Sequence, residues 1–349
     1  MNDQSENPLG VEGFEFAEFA APDARLLHTL FQQMGFKNIG SHIRRKITFY
    51  RQGGVNFLVN EEPGSFASEF AALHGPCCAG FALRVSNRQE AFDAVMAKGA
   101  TAMTGIKGSA MDCPVIKGVG GSVLYLVDTL EGSPFNADYV PPEGADLNPV
   151  GHGLGYIDHL THNVFEGQMD GWAEFYSKLF NFHQAKYFDI RGQQTGLRSR
   201  AMTAPNGMIS IPINESSEPK SQINEYLQQY QGEGIQHIAL YTNNIYQSVE
   251  AMKKAGINFL ETPDTYYELI SHRVPEHDED LPRMKINGIL LDADSDTGKK
   301  QLLQIFTSSC IGPIFFEIIQ RKGNTGFGEG NFQALFDSIE LDQTRRGVL

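Results

Sequence analysis

The sequence has few cysteines and no long apolar segment. Its four cysteines, Cys77, Cys78, Cys113 and Cys310, show no C-x-x-C spacing. The first residues, MNDQSENPLGVEGF, contain neither a basic region nor an apolar run of the kind found in signal peptides and membrane anchors. We therefore expect a cytoplasmic protein without membrane contact, whose thiols are reduced and mostly buried.

Positive charge is also scarce. The chain has 28 lysine and arginine residues against 42 aspartate and glutamate residues, which gives a formal net charge of -14. The basic residues form no cluster that could neutralise phosphates, so nucleic acid is not expected as a partner. The composition favours a small molecule as the partner.

An internal repeat organises the chain. Residues 82–99 (ALRVSNRQEAFDAVMAKG) align without a gap on residues 239–256 (ALYTNNIYQSVEAMKKAG). Each copy predicts a short strand, an Asn, an amphipathic helix and a terminal Gly suited to a left-handed helix cap. The two halves of the chain are therefore predicted to share one structural unit.

The same unit is predicted four times, twice in each half. Earlier in each half, a strand near Phe14 or near Tyr156 leads into a helix, and strand-like runs with turn signals follow. The fold class is therefore predicted as α+β, with four βαβββ modules paired into two open-barrel domains. We place a metal-free N-terminal domain at residues 1–150 and a catalytic domain at residues 151–349, joined by the Pro-rich linker YVPPEGADLN, residues 139–148.

Glu317 is a lone carboxylate in an otherwise apolar strand. Phe315, Glu317 and Ile319 alternate onto one face of this strand, which points into the predicted barrel. A buried ionised carboxylate is costly unless it is protonated, paired with a cation or bound to a metal. Arg321 falls on the same face at the strand end, so an ion pair with Arg321 is the alternative to a metal site.

Two histidines make this carboxylate part of a candidate metal site. His159 and His237 lie on the first strands of the two modules in the second half. Their first-half counterparts and that of Glu317 are predicted to be Ala17, Gly80 and Tyr125, so the set of ligands is absent from the first half. Two imidazoles and one carboxylate form the facial triad of a non-haem Fe(II) site, with positions left open for a substrate and dioxygen.

Each of these assignments has an alternative. Zinc is the other candidate metal, although it usually takes tetrahedral sites with three protein ligands and water. A single His on a strand is more often structural than metal-binding. Asp158 and His162 are predicted to fall on the strand face opposite to His159, and His162 is predicted to be structural.

Five segments resemble the 4-hydroxyphenylpyruvate dioxygenase family: IDHLTHNV, GEGIQHIAL, PDTYYE, LLQIF and FFEIIQRKGNTGFGEGNFQALF. The resemblance is nearly full length, dense in the second half and looser in the first. It implies the vicinal oxygen chelate fold, whose paired βαβββ units agree with the repeat. It also matches His159, His237 and Glu317 to the iron ligands of the family, which makes the second domain the iron-binding one.

The resemblance also implies a pocket for an aromatic 2-oxo acid. The implied catalytic residues are Ser199, Asn214, Gln222, Gln236 and Gln304, and the implied substrate-binding residues are Phe306, Phe315, Phe327, Asn331, Phe332 and Phe336. Phe rings would enclose the aromatic ring and amides would hydrogen-bond a phenol. Each Phe is alternatively a core residue, and Gln222 is alternatively a helix surface residue.

The implied reaction uses one Fe(II) per chain and O2 as co-substrate. Oxidative decarboxylation, ring hydroxylation and side-chain migration would convert 4-hydroxyphenylpyruvate to homogentisate and CO2 in tyrosine catabolism. We expect a homo-oligomer, either a dimer or a tetramer.

Three other functions are weighed against this one. A hydroxymandelate synthase would use the same substrate and metal but hydroxylate the benzylic carbon, whereas Asn214 and Phe332 favour the ring-hydroxylating type. An extradiol ring-cleaving dioxygenase would need an acid-base His in the pocket, for which the sequence offers no obvious candidate. A non-enzymatic binding protein of the same fold gives no reason for a complete triad.

The C-terminal segment is predicted to form a lid over the site. Asn331 is a candidate N-cap for a helix in which Phe332, Leu335, Phe336 and Ile339 recur at helical spacing. The preceding loop, RKGNTGFGEG, contains four glycines that allow it to hinge. The alternative is a helix that completes the domain core and never opens.

Overall fold

The structure is a computed structural model that describes residues 6–191, 196–294 and 298–335. Within these ranges the chain forms two eight-stranded mixed sheets, one in each half. Cys77 and Cys78 are buried, Cys113 and Cys310 are partly buried, and all four are free thiols. None of the helices in these ranges is long and apolar enough to cross a membrane.

The first half supplies the first sheet and the helices that cover it. Its elements are β1 (Gly13–Ala20), α1 (Arg25–Gln33), β2 (Lys37–His42), β3 (Ile47–Gln52), β4 (Val55–Asn60), α2 (Phe66–His74), β5 (Cys77–Arg84), α3 (Arg88–Ala97), β6 (Val115–Lys117), β7 (Val123–Val127) and β8 (Tyr139–Val140).

The second half supplies the second sheet. Its elements are β9 (Leu154–Asn163), α4 (Met169–Phe180), β10 (His183–Arg191), β11 (Gly196–Thr203), β12 (Ser210–Glu215), α5 (Gln222–Tyr230), β13 (Gly234–Thr242), α6 (Ile245–Lys254), α7 (Asp264–Arg273), α8 (Leu281–Asn287), β14 (Leu290–Ala293), β15 (Gln301–Phe306) and β16 (Phe315–Lys322). Residues 329–335 are helical.

The strand order shows that each half is a pair of modules. The first sheet has the order β6-β7-β5-β1-β4-β3-β2-β8, and the second has the order β10-β11-β12-β9-β13-β16-β15-β14. At the centre of each sheet the first strands of its two modules pair antiparallel, β1 with β5 and β9 with β13. Each of these strands pairs in parallel with the last strand of its own module. The predicted α+β fold of paired modules is confirmed.

Two details of the first half differ from the prediction. After α3, one of the three expected strands is reduced to an isolated bridge between Ala102 and Ile116, in a segment where Gly105 and Gly108 have positive φ and favour turns. In addition, β8 pairs with β2, so the segment without strands or helices begins at residue 141 and not at residue 139. The domain division near Val150 falls within this segment and stays a proposal.

The two helices of the internal repeat, α3 and α6, have the same capping residues. The side chain of Asn87 caps α3, and the side chain of Asn244 caps α6. After these helices, Gly99 and Gly256 have φ values of +95° and +98°. Residues other than glycine rarely adopt this backbone conformation. The repeated Asn and Gly therefore mark the two ends of the helix in both halves.

One hydrophobic cluster spans both halves of the chain. The ring of Phe316 on β16 lies 5.8 Å from the ring of Phe57 on β4 and 6.5 Å from that of Phe19 on β1. Phe57 also stacks on Phe36 with 4.5 Å between ring centroids. Because Phe316 and Glu317 are adjacent in one strand, this shared core lies on the sheet face opposite to the carboxylate.

Phe57→Ala is expected to lower the free energy of unfolding by about 3–5 kcal/mol, because it removes a ring that packs between the halves and leaves a cavity. Urea unfolding followed by circular dichroism measures the change. The matched control is Phe165→Ala, at a residue that is 50% exposed, where a change within about 0.5 kcal/mol is expected. Equal effects of the two substitutions would contradict a shared core centred on Phe57.

Candidate metal centre

Three neighbouring strands bring the predicted ligands together. His159 lies on β9, His237 on β13 and Glu317 on β16, in the sheet order β9-β13-β16. Ala239 of the central strand pairs with His159 on one side and with Glu317 on the other. Because Ala239 carries only a methyl group, it leaves space for the side chains of both neighbours to converge.

The three side chains form a compact cluster in the second barrel. Glu317 Oε2 lies 3.2 Å from His159 Nε2 and 3.5 Å from His237 Nε2, and the two Nε2 atoms are 3.4 Å apart. His159 and Glu317 are each 2% exposed, and His237 is partly buried. In the part of the chain that the structure describes, no other group of three or more His, Cys, Asp or Glu residues brings its potential ligand atoms within 4.8 Å of one another.

Hydrogen bonds at Nδ1 turn both imidazoles towards a shared centre. His159 Nδ1 donates to Asp158 Oδ1 at 2.8 Å, and His237 Nδ1 donates to Gln236 Oε1 at 2.9 Å. Neutral imidazoles held in this way direct their Nε2 lone pairs at the cluster centre. Two lone pairs and a carboxylate repel one another unless a proton or a metal cation lies between them. The donor set therefore fits a divalent metal ion.

β-Bulges place Asp158 and Gln236 beside the imidazoles that follow them. The pairing of β9 with β13 skips Asp158 just before His159, and it skips Gln236 just before His237. A bulged residue leaves the regular alternation of strand faces. The prediction that Asp158 points away from His159 is therefore wrong, because it assumed strict alternation along the strand.

Arg321 is the cationic partner of Asp158 and not of Glu317. Its Nε and Nη2 atoms donate to the two oxygens of Asp158, each at 2.7 Å. Burial alone would raise the pKa of Asp158, but this bidentate ion pair and the hydrogen bond from His159 hold the pKa below its usual range. The alternative explanation of Glu317 as the partner of Arg321 is thus wrong, since the guanidinium is committed to Asp158.

The imidazoles that face Glu317 stabilise the ionised form of its carboxylate. Burial alone would raise its pKa, but His159 and His237 lower the pKa to about 2. Burial alone would lower the pKa of His159, but Glu317 and Asp158 raise it to about 9. Without metal, a proton on His159 Nε2 supplies the positive charge that the carboxylate needs.

A chain of amides holds the second oxygen of Glu317. Gln304 Nε2 donates to Glu317 Oε1 at 3.0 Å, and Asn331 Nδ2 donates to Gln304 Oε1 at 2.9 Å. The helical segment that contains Asn331 already begins at residue 329. The prediction that Asn331 caps this helix is wrong, because its side chain is buried and committed to Gln304.

A cavity opens beside the three candidate ligands. Its other lining residues are Thr161, Phe188, Leu197, Ser199, Pro212, Asn214, Gln304, Phe306, Phe327, Glu329 and Phe332. Most of these side chains are apolar, and neither Lys nor Arg is among the lining residues that the structure describes. The cavity therefore suits a ligand with an apolar body and offers it no lysine or arginine side chain in its described wall.

The structure brings most, but not all, of the residues implied by the family resemblance to this cavity. Those that line it are Ser199, Asn214, Gln304, Phe306, Phe327 and Phe332. Behind them, Gln236 and Asn331 hold His237 and Gln304, and the ring of Phe315 stacks on that of His237 with 4.9 Å between centroids.

One implied pocket residue lies away from the cavity, and another falls outside the described residues. Gln222 is exposed at the first turn of α5, because this helix buries a stripe beginning at Ile223 and turns residue 222 outwards. Phe336 lies outside the described residues, as does Ile339 of the predicted lid.

Sequence reasoning missed Thr161, Phe188 and Glu329. Thr161 Oγ1 lies 2.9 Å from His237 Nε2. It follows His159 by two residues, so the alternation of strand faces could have found it. Phe188 and Glu329 gave no comparable signal, since they reach the cavity from β10 and from the segment after β16, whose approach to the ligands depends on the tertiary fold.

His162, by contrast, lies in the shared core. It is fully buried, and its Nε2 atom lies 2.7 Å from the Tyr176 hydroxyl on α4. Burial lowers the pKa of this imidazole to about 3. As predicted, His162 points away from the metal cluster.

The first barrel lacks the three ligands. The strand pairing places Phe16, Gly80 and Tyr125 at the positions of the two histidines and the carboxylate. Ala17 as the predicted counterpart of His159 is wrong by one residue, because Ala82 pairs with Phe16 in the way that Ala239 pairs with His159. No residue in the first-half sequence marks this register.

Packing fills the corresponding space in the first barrel. The rings of Phe16 and Tyr125 lie 5.2 Å apart. At Gly80, a Cβ atom would lie 2.3 Å from the Val123 side chain and 2.4 Å from the Val123 carbonyl oxygen. The first barrel therefore has a solid interior at this level.

Comparisons with known proteins agree with this geometry. A family model described as "Hydroxyphenylpyruvate dioxygenase, HPPD, N-terminal" matches residues 5–140, and one described as "Glyoxalase/Bleomycin resistance protein/Dioxygenase superfamily" matches residues 156–270. A 4-hydroxyphenylpyruvate dioxygenase from Pseudomonas sp. (strain P.J. 874) is 50% identical over 353 residues, with 99% of each chain covered.

Solved structures with the same fold include two relevant proteins. A fusion protein of a xylose isomerase-like TIM barrel and a 4-hydroxyphenylpyruvate dioxygenase superposes with a TM-score of 0.80 at 30% identity, and the match covers 96% of this chain and 54% of the fusion chain. A mutant of 4-hydroxymandelate synthase from Streptomyces coelicolor superposes with a TM-score of 0.81 at 23% identity, over 96% of this chain and 99% of that chain. At that identity the second match shows the fold alone.

Glu317→Gln is expected to weaken binding of a divalent metal by more than about 100-fold, because a neutral amide replaces the anionic ligand. Changes in residues that merely support a metal ligand weaken binding by about 10- to 100-fold, and the loss of a ligand itself should weaken it further. Anaerobic calorimetric titration with Fe(II) measures the affinity, and circular dichroism checks the fold. The matched control is Glu18→Gln, which alters a buried carboxylate of the first barrel that accepts from Tyr125. Wild-type affinity in folded Glu317→Gln, or an equal loss in Glu18→Gln, would contradict the site.

Proposed function

Because this chain belongs to the 4-hydroxyphenylpyruvate dioxygenase family and is a dioxygenase, we propose that it converts 4-hydroxyphenylpyruvate to homogentisate and carbon dioxide. It would use one Fe(II) per chain, with dioxygen as co-substrate. The observation that carries the proposal is the cluster of His159, His237 and Glu317 beside a cavity walled by Phe side chains.

His159, His237 and Glu317 would hold the metal through two Nε2 atoms and one carboxylate. Two imidazoles and a carboxylate with further positions left open are typical of Fe(II) oxygenases. Zinc accepts a similar donor set, so the choice of Fe(II) rests on the family together with the donors. When bound, Fe(II) would supply Lewis acidity and the redox chemistry that dioxygen activation requires.

Aromatic side chains would position the substrate ring beside these ligands. The ring of Phe327 lies edge-on to His159 at 5.4 Å and edge-on to Phe188 at 6.4 Å. The ring of Phe306 lies edge-on to His237 at 6.4 Å. Rings arranged in this way enclose a flat aromatic group by edge-to-face and offset contacts, which suits a phenyl ring close to the metal ligands.

Ser199 and Asn214 would bind the phenol end of the substrate. They are cross-strand neighbours on β11 and β12, and both line the cavity. Asn214 Nδ2 donates to Asn163 Oδ1 at 3.3 Å, which orients the amide and leaves its Oδ1 as an acceptor for a phenol hydroxyl. Neutral partners suit a phenol because it stays protonated near neutral pH.

The charged end of the substrate would lie at the metal cluster. Since the described part of the cavity wall contains no Lys or Arg, a substrate carboxylate has no side-chain cation to pair with there. The substrate carboxylate would then find positive charge only in a metal ion held by His159, His237 and Glu317. This favours a 2-oxo acid, whose anionic end can reach the centre while its ring occupies the aromatic part.

The helical segment 329–335 would limit the access of water to the site. Phe332 and Glu329 of this segment line the cavity, and Glu329 forms an ion pair with Lys186 on β10. This contact ties the start of the segment to β10. Movement of the segment as a lid stays a prediction.

The alternatives differ in what the cavity must contain. An extradiol dioxygenase would need an acid-base His besides the ligands, and the described cavity wall contains none. A binding protein without activity would not need three side chains preoriented at one centre. A hydroxymandelate synthase would use the same cluster and a similar cavity, so product analysis separates it from the proposed function.

Homogentisate is expected to exceed 4-hydroxymandelate by a wide margin when the protein is incubated with 4-hydroxyphenylpyruvate, Fe(II) and oxygen, because Asn214 and Phe332 would hold the ring next to the centre. Liquid chromatography of the quenched reaction measures both products. A chelator-treated sample is the control and should form neither. A mixture dominated by 4-hydroxymandelate would overturn the proposed reaction while leaving the metal site standing.

A further inference from the structure

We propose that Tyr266 is a positioning residue for the metal centre, and that it couples the docking of the C-terminal helical segment to the orientation of Glu317. Tyr266 lies on α7, is 1% exposed and does not line the cavity. The inference rests on the proposed metal function of Glu317. It concerns side chains that connect this ligand to residues 329–335.

A continuous chain of hydrogen bonds runs from Tyr266 to the ligand. The Tyr266 hydroxyl donates to Asn331 Oδ1 at 2.6 Å. Asn331 Nδ2 donates to Gln304 Oε1 at 2.9 Å, and Gln304 Nε2 donates to Glu317 Oε1 at 3.0 Å. Each step joins one donor to one acceptor, and all four residues are at most 2% exposed.

The direction of this chain is set at the Tyr266 hydroxyl. Its oxygen accepts from the Leu291 backbone N–H at 2.9 Å and from Arg273 Nη2 at 2.8 Å. A phenol has two lone pairs and one proton, so its proton remains for Asn331 Oδ1. The Leu291 carbonyl is the other acceptor within reach, at the longer distance of 3.2 Å.

This direction matches the one that Glu317 requires, because an ionised carboxylate can only accept a hydrogen bond from Gln304. Because Asn331 accepts a hydrogen bond at Oδ1, its Nδ2 faces Gln304 Oε1, and Gln304 turns its Nε2 towards the carboxylate. A reversed amide would place two oxygens against each other in a buried site and leave a donor unsatisfied, which is costly. Tyr266 therefore favours the one arrangement in which Glu317 Oε1 is hydrogen-bonded and Oε2 faces the histidines.

The residues around the Tyr266 hydroxyl also anchor the helical segment. Arg273 packs its guanidinium 5.0 Å from the centre of the Tyr266 ring, and Asp292 Oδ2 accepts from the Gly330 backbone N–H at 3.0 Å. Asn331 thus sits between an anchor on α7 and β14 and the metal ligand. When the segment leaves its place, Asn331 leaves Gln304, and Glu317 loses the support at Oε1.

Tyr266→Phe tests the inference because it removes only the hydroxyl that starts the chain. The affinity for Co(II), measured against a competing chelator, is expected to fall about tenfold, the lower end of what changes in the shell around metal ligands cost. In the metal-free protein, backbone amides of residues 329–335 are expected to exchange faster with deuterium. The matched control is Tyr267→Phe, at the adjacent buried tyrosine outside this chain, where both quantities should stay at wild-type values.

Asn331→Asp separates anchoring from coupling. Asn331 Oδ1 accepts from the Tyr266 hydroxyl and, at 3.4 Å, from Arg273 Nη1. The new carboxylate still accepts from both but has no proton to donate to Gln304. Amide exchange in residues 329–335 should therefore stay slow while the Co(II) affinity falls. If Tyr266→Phe does not fold, Arg273→Met takes its place, since Arg273 donates to the same hydroxyl.

Two results would overturn the inference. One is a folded Tyr266→Phe protein with wild-type Co(II) affinity, whatever its amide exchange. The other is an equal loss of affinity in Tyr267→Phe, which would show a general packing effect. A wild-type protein that binds no divalent metal would instead refute the proposed function, and the exchange comparison would still decide whether Tyr266 anchors the helical segment.

Discussion

A carboxylate buried among apolar strands is the constraint on which the second barrel depends. Glu317 cannot remain ionised there without positive charge close by. The one guanidinium within reach along the strand, that of Arg321, is taken by Asp158. Compensation therefore falls to the imidazoles of His159 and His237, whose orientation leaves room for a cation in the middle. Much of the polar structure in this barrel serves to hold that arrangement.

The backbone contributes as much to this arrangement as the side chains. In the second barrel a bulge precedes each histidine, and the bulged residue turns to hold the imidazole. The first barrel has register shifts at the equivalent places, where the pairing of β1 with β5 skips Glu15 and Ala79. These two irregularities of the sheet are thus common to both halves. The halves differ in the side chains at the three ligand positions and in the close approach of β5 to β7 at Gly80.

The repeat and the alternation of strand residues were sufficient to predict the fold class and to assign His159, His237 and Glu317 to one interior face. Alternation failed at Asp158, because a bulge breaks the period of two and no residue type in the sequence marks it. The family resemblance placed Gln222 in the pocket, but the apolar stripe of α5 turns that residue towards solvent. Phe188 and Tyr266 were not found, since their roles arise from contacts between elements that are distant in sequence.

Gly80 makes the first barrel unsuitable for a second metal centre. At the position of His237, the first barrel has a glycine whose neighbour Val123 leaves no room for even a methyl group. Placing three ligands in that barrel would thus require the strands β5 and β7 to move apart, in addition to the replacement of Phe16 and Tyr125. An engineer who wants two centres in one chain would therefore do better to duplicate the second barrel than to rebuild the first.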